Sequence, residues 1–173
     1  MKGRIAVLRF VRFLLILISL RAGEILLGVL PVGIASSIDL FVLYVVLRSA
    51  RRGVMEGVLF GLAAGLFRDL VSLQTVGTDL LPLAAAGAFS SWAHRQVVGE
   101  SAPGLFLILA GAVLAHDLAG GLGLLVEEKG GWVLAERLVF RALPAGLATG
   151  ALGVLFHETL RARRRAGRRE VAA

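Results

Sequence analysis

Residues 56–81 read EGVLFGLAAGLFRDLVSLQTVGTDLL and carry the clearest structural signal in this chain. Three glycines, Gly57, Gly61 and Gly65, recur every four residues, and Asp69 follows at the same spacing. A helix places residues four apart on one face, so the glycines form a bare ridge that leads to an acid. Each glycine costs about 1 kcal/mol relative to alanine in an aqueous helix, whereas in lipid small residues let a second helix approach closely. The pattern therefore favours a tightly packed membrane helix with a buried carboxylate.

The composition of the whole chain is that of a membrane protein. Hydrophobic residues make up 57% of the 173 residues and the mean hydropathy is +0.83, whereas soluble domains contain about 45–50% apolar residues. Each bilayer crossing takes about 20 apolar residues, so there is room for about six crossings and little else. We expect an all-α membrane protein with six transmembrane helices and no soluble catalytic domain. The chain contains no cysteine, which excludes disulfides and cysteine-ligated metal sites.

Six apolar runs define the predicted spans, which cover residues 13–30, 36–47, 54–73, 80–92, 105–126 and 132–157. We expect residues 1–160 to form one transmembrane domain and residues 161–173 to form a basic cytoplasmic tail. The first run is longer than the apolar core of a signal peptide, and Arg21 and Glu24 interrupt it. These two residues are three apart and share a helix face, so we expect them to pair.

The formal net charge of +7 comes from basic residues at the ends of the apolar runs. This placement indicates a role in membrane topology rather than nucleic-acid binding. With six spans, the basic N-terminus, the Arg48, Arg51 and Arg52 group, Arg95 and the tail fall on one side. Only Lys129 and Arg137 fall on the other. Because cytoplasmic loops collect Lys and Arg, we expect both termini in the cytoplasm.

Charged residues inside the spans need partners. From the 1.5 Å rise per residue, Asp69, Asp117 and Arg141 lie at similar depths in the outer half of the bilayer. Arg141 also begins a ridge of small residues in the sixth span, which continues through Ala145, Thr149 and Gly153. We therefore expect Arg141 to neutralise Asp69 or Asp117, because an unpaired charge in hydrocarbon is costly.

Two sets of residues are candidates for a role beyond simple spanning. The candidates for helix packing or partner binding are Gly57, Gly61, Gly65, Gly77, Gly146 and Gly150. The expected buried polar cluster consists of Asp39, Arg68, Asp69, His116, Asp117 and Arg141. Such a cluster serves as a set of structural ion pairs, as a ligand or partner pocket, or as a proton relay.

The sequence offers no convincing catalytic centre. The serine pairs Ser36/Ser37 and Ser90/Ser91 lack the glycine setting of a nucleophile elbow. The three histidines, His94, His116 and His157, lack the spacing of metal ligands. We therefore expect no catalytic residues, no metal site and no cofactor. The triplets Arg68-Asp69-Leu70 and His116-Asp117-Leu118 hint at an internal repeat.

Residues 61–72, GLAAGLFRDLVS, with Val76-Gly77 and Leu80 after them, resemble the signature of MreD, a family of rod-shape-determining membrane proteins. Ile38-Asp39-Leu40, the six predicted spans and the basic tail strengthen the resemblance. It places the glycine-Leu-Asp motif of the family on Gly61, Gly65, Leu66 and Asp69, with the following glycine at Gly77. The chain departs from the family pattern at Asp79, where a small or amide residue is expected.

The resemblance implies a helical bundle similar to the S components of energy-coupling-factor vitamin transporters. It further implies a non-enzymatic scaffold of the cell-elongation machinery in the bacterial inner membrane, which binds MreC and helps regulate peptidoglycan synthesis and rod cell shape. Through MreC the scaffold would act on a class B penicillin-binding transpeptidase, a SEDS glycosyltransferase and MreB. A homodimer is also compatible with the sequence.

Two questions stay open at the level of sequence. The alternative function is a small-solute carrier component that resembles an S component, with a pocket near Asp69, Asp117 and Arg141. The glycine ridge of the third span either packs against the sixth span of the same chain or stays free for MreC.

Overall fold

The computed structural model describes residues 2–29, 38–72, 77–96, 101–126 and 131–170, and all regular structure there is helical. A π-helical segment, Leu138–Ala142, joins the last two helices without a break. The predicted all-helical architecture is confirmed for these residues. The α-helices are α1 Lys2–Val29, α2 Leu40–Ser49, α3 Val54–Ser72, α4 Leu80–Gln96, α5 Ala102–Val126, α6 Gly131–Arg137 and α7 Leu143–Glu170.

These helices form six rods at the positions of the six predicted spans, with α6, the π segment and α7 as the sixth. Two segments, Ala102–Leu122 and Ala135–Thr159, are long and apolar enough to cross a membrane. Helix α2 is apolar but has only ten residues, which corresponds to about 15 Å. Ser36, Ser37, Lys129 and the residues after Glu170 lie outside the described part of the chain.

Short helix α2 lies at the centre of the bundle and contacts α1, α3, α4, α5 and α7. Five of its side chains are completely buried, namely Phe41, Val42, Val45, Val46 and Ser49. A short helix can occupy this position because its N-terminus is anchored by Asp39, whose carboxylate accepts a hydrogen bond from the Val42 N–H at 2.9 Å. Helix α1 packs mainly on α2 and α3, so much of its surface stays uncovered.

The glycine ridge of α3 packs against α4, its immediate neighbour in the chain. A Cβ added to Gly65 would lie 2.6 Å from the Asp79 carbonyl oxygen, and one added to Gly61 would collide with the Leu83 carbonyl. At Gly57 the collision would be with the backbone of Gly87, itself a glycine. The ridge therefore neither contacts the sixth rod nor stays free for a partner, which corrects both alternatives considered for it. The short α3–α4 connection makes this close antiparallel pairing the most direct one.

The small residues of the sixth rod line a separate interface, between α7 and α5. Gly146 faces Ala110, and Gly150 is so close to Phe106 that an added Cβ would lie 2.9 Å from its ring. Thr149 is fully buried in the same contact region. The two small-residue ridges thus serve two different helix pairs instead of meeting each other.

The π segment precedes Pro144, which has no N–H to donate to the carbonyl four residues earlier. The Leu143 N–H instead bonds the Leu138 carbonyl, five residues back. Single π turns of this kind accommodate a local break in the regular hydrogen-bond pattern. Arg141 lies in this segment with its side chain exposed.

We expect Gly61→Ala to destabilise the protein by about 1–3 kcal/mol, because the added methyl group displaces the α4 backbone. Gly28→Ala in α1 is the matched control, since nothing lies within 4 Å of a Cβ there. Thermal unfolding of both variants in detergent measures the difference. Equal stability of the two variants would contradict the internal packing of the ridge.

Candidate functional site: a buried charge cluster

Arg68 of α3 is the centre of a cluster of buried and partly buried charges. Its guanidinium contacts the carboxylate of Asp39 at 3.0 Å, of Glu24 at 3.4 Å and of Asp79 at 3.4 Å. The three acids come from the residue before α2, from α1 and from the turn before α4. The guanidinium also lies over the Phe41 ring, 5.2 Å from its centroid. One side chain thus holds four elements together, as the planar five-donor fork of arginine permits.

The cluster extends outward from Arg68 in two directions. In α1, Arg21 binds Glu24 at 3.2 Å, which confirms the pairing predicted from their spacing. Toward α5, Asp79 lies 3.8 Å from His116, and the other ring nitrogen of His116 lies 3.7 Å from Asp117. Both contacts are favourable only when the imidazole ring carries a proton on each nitrogen.

Asp117 is paired with Arg137 at 3.5 Å. Arg137 is the last residue of α6, and its guanidinium lies beside Gly120 of α5, where an added Cβ would be 3.1 Å away. The distribution of basic residues in the sequence placed Arg137 on the outer side together with Lys129. The helix begins at Gly131, six residues earlier, so Arg137 lies about 9 Å along the rod and faces inward.

Asp39 connects three helices through its backbone and its side chain. One carboxylate oxygen caps α2 and the other binds Arg68 of α3. Its own N–H donates to the Thr149 hydroxyl of α7 at 3.2 Å. Thr149 belongs to the small-residue ridge predicted for the sixth span, so this ridge supplies both close packing and a hydrogen bond.

Asp69 closes the turn between α3 and α4. Its carboxylate accepts hydrogen bonds from the Gly77 N–H at 2.7 Å, the Thr78 hydroxyl at 3.0 Å and the Asp79 N–H at 2.9 Å. Gly77 adopts a φ of 109°, a conformation that favours glycine over residues with a side chain. Asp69, at the end of the glycine ridge, therefore stabilises the turn, and its carboxylate accepts hydrogen bonds from three donors.

The predicted pairing of Arg141 with Asp69 or Asp117 does not occur. Asp69 is bound by its own turn, Asp117 is bound by Arg137, and Arg141 is exposed. The expected pairing was based on depth along the helices alone. Depth carries no information about helix faces, and the face decides which side chains meet.

The structure therefore brings together four of the six predicted cluster residues, Asp39, Arg68, His116 and Asp117, with Asp69 next to them in the turn. Four members were missing from the predicted set: Arg21, Glu24, Asp79 and Arg137. The signals for three of them were present in the sequence, since Arg21 and Glu24 were already expected to pair. Asp79 was the departure from the family pattern, and it provides the carboxylate between Arg68 and His116.

The two similar triplets occupy related positions in the cluster. Arg68 and His116, the first residue of each, contact the two different oxygens of the Asp79 carboxylate. The acids that follow them diverge, since Asp69 binds the turn and Asp117 binds Arg137. The two triplets are thus similar in that their first residues contact Asp79, but their own aspartates, Asp69 and Asp117, have different partners.

Asp79 lies in the turn outside the helices, where its ionisation is favoured. Burial alone would raise the pKa of Asp79, but the adjacent His116 and Arg68 lower it below its usual value. A lowered pKa in the folded state means that the ion contributes stability at neutral pH. That contribution is lost when acid protonates the carboxylate.

The serines considered as nucleophiles have structural contacts. The Ser91 hydroxyl donates toward the carbonyls of Ser49 and Gly87 at 3.0 Å, and Ser90 shares a 2.7 Å hydrogen bond with Ser49. They join α4 to α2. Within the described ranges, no group of three or more His, Asp or Glu side chains is placed to hold a metal ion.

No protein-family model matches this chain, and no curated protein or solved structure matches it significantly.

We expect Asp69→Asn to lower stability by about 1–3 kcal/mol, because an amide offers only one acceptor oxygen to three donors. Arg141→Gln, in contrast, should change stability by no more than about 0.5 kcal/mol, because its side chain is exposed. Thermal unfolding of both variants in detergent gives the comparison. A larger loss of stability for Arg141→Gln than for Asp69→Asn would show that Arg141 acts as a buried counter-ion after all.

Removal of Arg68 should be among the most damaging single changes. Arg68→Met removes the cation that three carboxylates share, and breaking a buried pair in this way costs about 3–5 kcal/mol. Adding Asp39→Asn to Arg68→Met should recover part of the loss, since it removes one uncompensated charge. A double-mutant cycle on unfolding temperature measures the coupling. Strictly additive effects of the two substitutions would show that the 3.0 Å contact carries no coupling energy.

Proposed function

We propose that this chain is a multi-pass scaffold of the bacterial inner membrane that binds MreC in the cell-elongation machinery and helps regulate peptidoglycan synthesis. The observation that carries the proposal is the role of the residues that resemble MreD. Gly61 and Gly65 pack on α4, while Asp69 and Gly77 close the turn that leads to it. The motif thus builds one helical hairpin, and a motif with a structural role suits a scaffold better than an enzyme.

The distribution of charge supports the proposed topology. Arg95 of α4 approaches the α2–α3 connection, since its guanidinium would lie 3.8 Å from a Cβ at Gly53. Arg48, Arg52 and Arg95 therefore share one end of the bundle, and this is the cytoplasmic end in the proposed arrangement. The Arg68 cluster lies at the opposite end of these helices. Along α3, Arg68 is about 12 Å beyond Phe60.

The carrier alternative finds less support. Its three residues, Asp69, Asp117 and Arg141, do not surround a common cavity, because two have partners within the bundle and the third points outward. The buried polar groups serve to connect helices, which leaves an exterior of large apolar side chains. In a bilayer such an exterior is suited to lipid and to the transmembrane helix of a partner.

The surface that binds MreC must differ from both small-residue ridges, since these are covered by α4 and α5. Because the chain has no cysteine, single cysteines can be introduced without background. Suitable exposed positions are Ile18 on α1 and Leu147 on α7, which are 54% and 58% exposed. Ala64, completely buried beside the α3 ridge, is the matched control.

We expect MreC to co-purify with the tagged chain from native membranes and to cross-link to a cysteine at one or more exposed positions but not at Ala64. Mass spectrometry of the cross-linked product identifies the partner. If the chain accumulates in folded form and no MreC is recovered, the proposed function is wrong. A cross-link from Ala64 alone would show that the ridge opens to admit the partner.

A further inference from the structure

A cleft of about 940 Å³ lies between α1 and the hairpin of α2 and α3, at the opposite end from the Arg68 cluster. Phe13 of α1 connects its two walls, since its ring lies 6.3 Å from that of Tyr44 in α2 and 6.0 Å from that of Phe60 in α3. The Arg68 cluster ties α1 to the same two elements at the other end. Leu17 of α1 is completely buried in the core, so α1 is packed between these contacts. The cleft lies around Phe13, where Phe10, Arg12 and Ile16 line it from α1.

Three arginines, Arg12, Arg48 and Arg52, line the mouth of the cleft, each from a different part of the chain. The guanidinium groups of Arg48 and Arg52 lie 5.1 and 5.2 Å from the centroid of the Phe60 ring. Stacking on an aromatic face orients both groups without neutralising them. Glu56 pairs with Arg52 at 3.0 Å. None of the described residues that line the cleft is acidic, so the mouth has an excess of positive charge.

The inner part of the cleft is apolar. Ile16, Leu59 and Ala63 line it, and on each helix they lie further from the basic end than the arginines do. Ala63 is nine residues beyond Val54, the first residue of α3, which corresponds to about 14 Å along the helix. A positive mouth followed by an apolar trough of this length matches a molecule with an anionic head and a hydrocarbon chain.

We propose that this cleft binds an anionic phospholipid of the cytoplasmic leaflet, with the phosphate between Arg12, Arg48 and Arg52 and an acyl chain along Ile16, Leu59 and Ala63. Guanidinium groups bind phosphate through paired charge-assisted hydrogen bonds. Basic pockets between membrane helices on the cytoplasmic side are suited to anionic headgroups. The site depends on the proposed membrane orientation and is independent of MreC binding.

The test measures binding of phosphatidylglycerol and of phosphatidylcholine to the full-length protein by native mass spectrometry and by thermal stabilisation in detergent. The unmodified protein should prefer phosphatidylglycerol by about tenfold or more. The double variant Arg12→Gln/Arg48→Gln should lose most of this preference. The matched control, Arg51→Gln/Arg95→Gln, removes the same charge outside the cleft and should retain it.

Ala63→Trp tests the apolar part, because it fills the trough and leaves all three arginines in place. It should weaken phosphatidylglycerol binding, while soluble glycerol phosphate should stabilise neither this variant nor the unmodified protein. If both double-arginine variants lost the preference for phosphatidylglycerol equally, the preference would come from the overall charge of the protein, and the proposal would be wrong. Equal stabilisation by glycerol phosphate would also overturn it in favour of a simple anion site. Neither result bears on MreC recovery, so the two proposals fail separately.

Discussion

The contact between Arg68 and three carboxylates is the interaction on which the arrangement of the helices depends. Glu24, Asp39 and Asp79 come from three separate elements, and each needs a cation because a lone buried charge is costly. Arg68 meets this need for all three, so α1, the start of α2 and the turn before α4 have fixed positions relative to α3. The glycine ridge adds the second constraint, since it sets how closely α4 approaches the same helix.

Charged residues are arranged differently at the two ends of the helices. At the Arg68 end, acids and bases alternate from Arg21 to Arg137 and neutralise one another inside the bundle. At the other end, Arg48 and Arg52 stack on Phe60, and Glu56 pairs with Arg52 only, so positive charge remains in excess there. The first end therefore holds the fold together, whereas the second is available for a phosphate or for the membrane surface.

Local features of this structure were predictable from the sequence, and contacts between distant helices were not. The helix positions and the Arg21–Glu24 pair depend on spacings of a few residues, which a sequence displays directly. The partner of Asp69 was missed because three donors in the following turn satisfy it, and nothing in composition distinguishes this from an ion pair. The ridge predicted close packing correctly, but its partner depends on topology, and the short connection to α4 decides it.

Helix α1 shows how the two ends work together. Its salt bridges through Glu24 hold one end, while near Phe10 and Arg12 it has mainly the aromatic contacts of Phe13. A helix that is fixed at one end and borders a cleft at the other needs other contacts along the open part. A phospholipid in the cleft, as proposed, supplies them, because its phosphate contacts arginines from both walls and its acyl chain fills the trough between them. Lipid would then complete the bundle where protein packing leaves it incomplete, without drawing on the polar groups that already hold the opposite end.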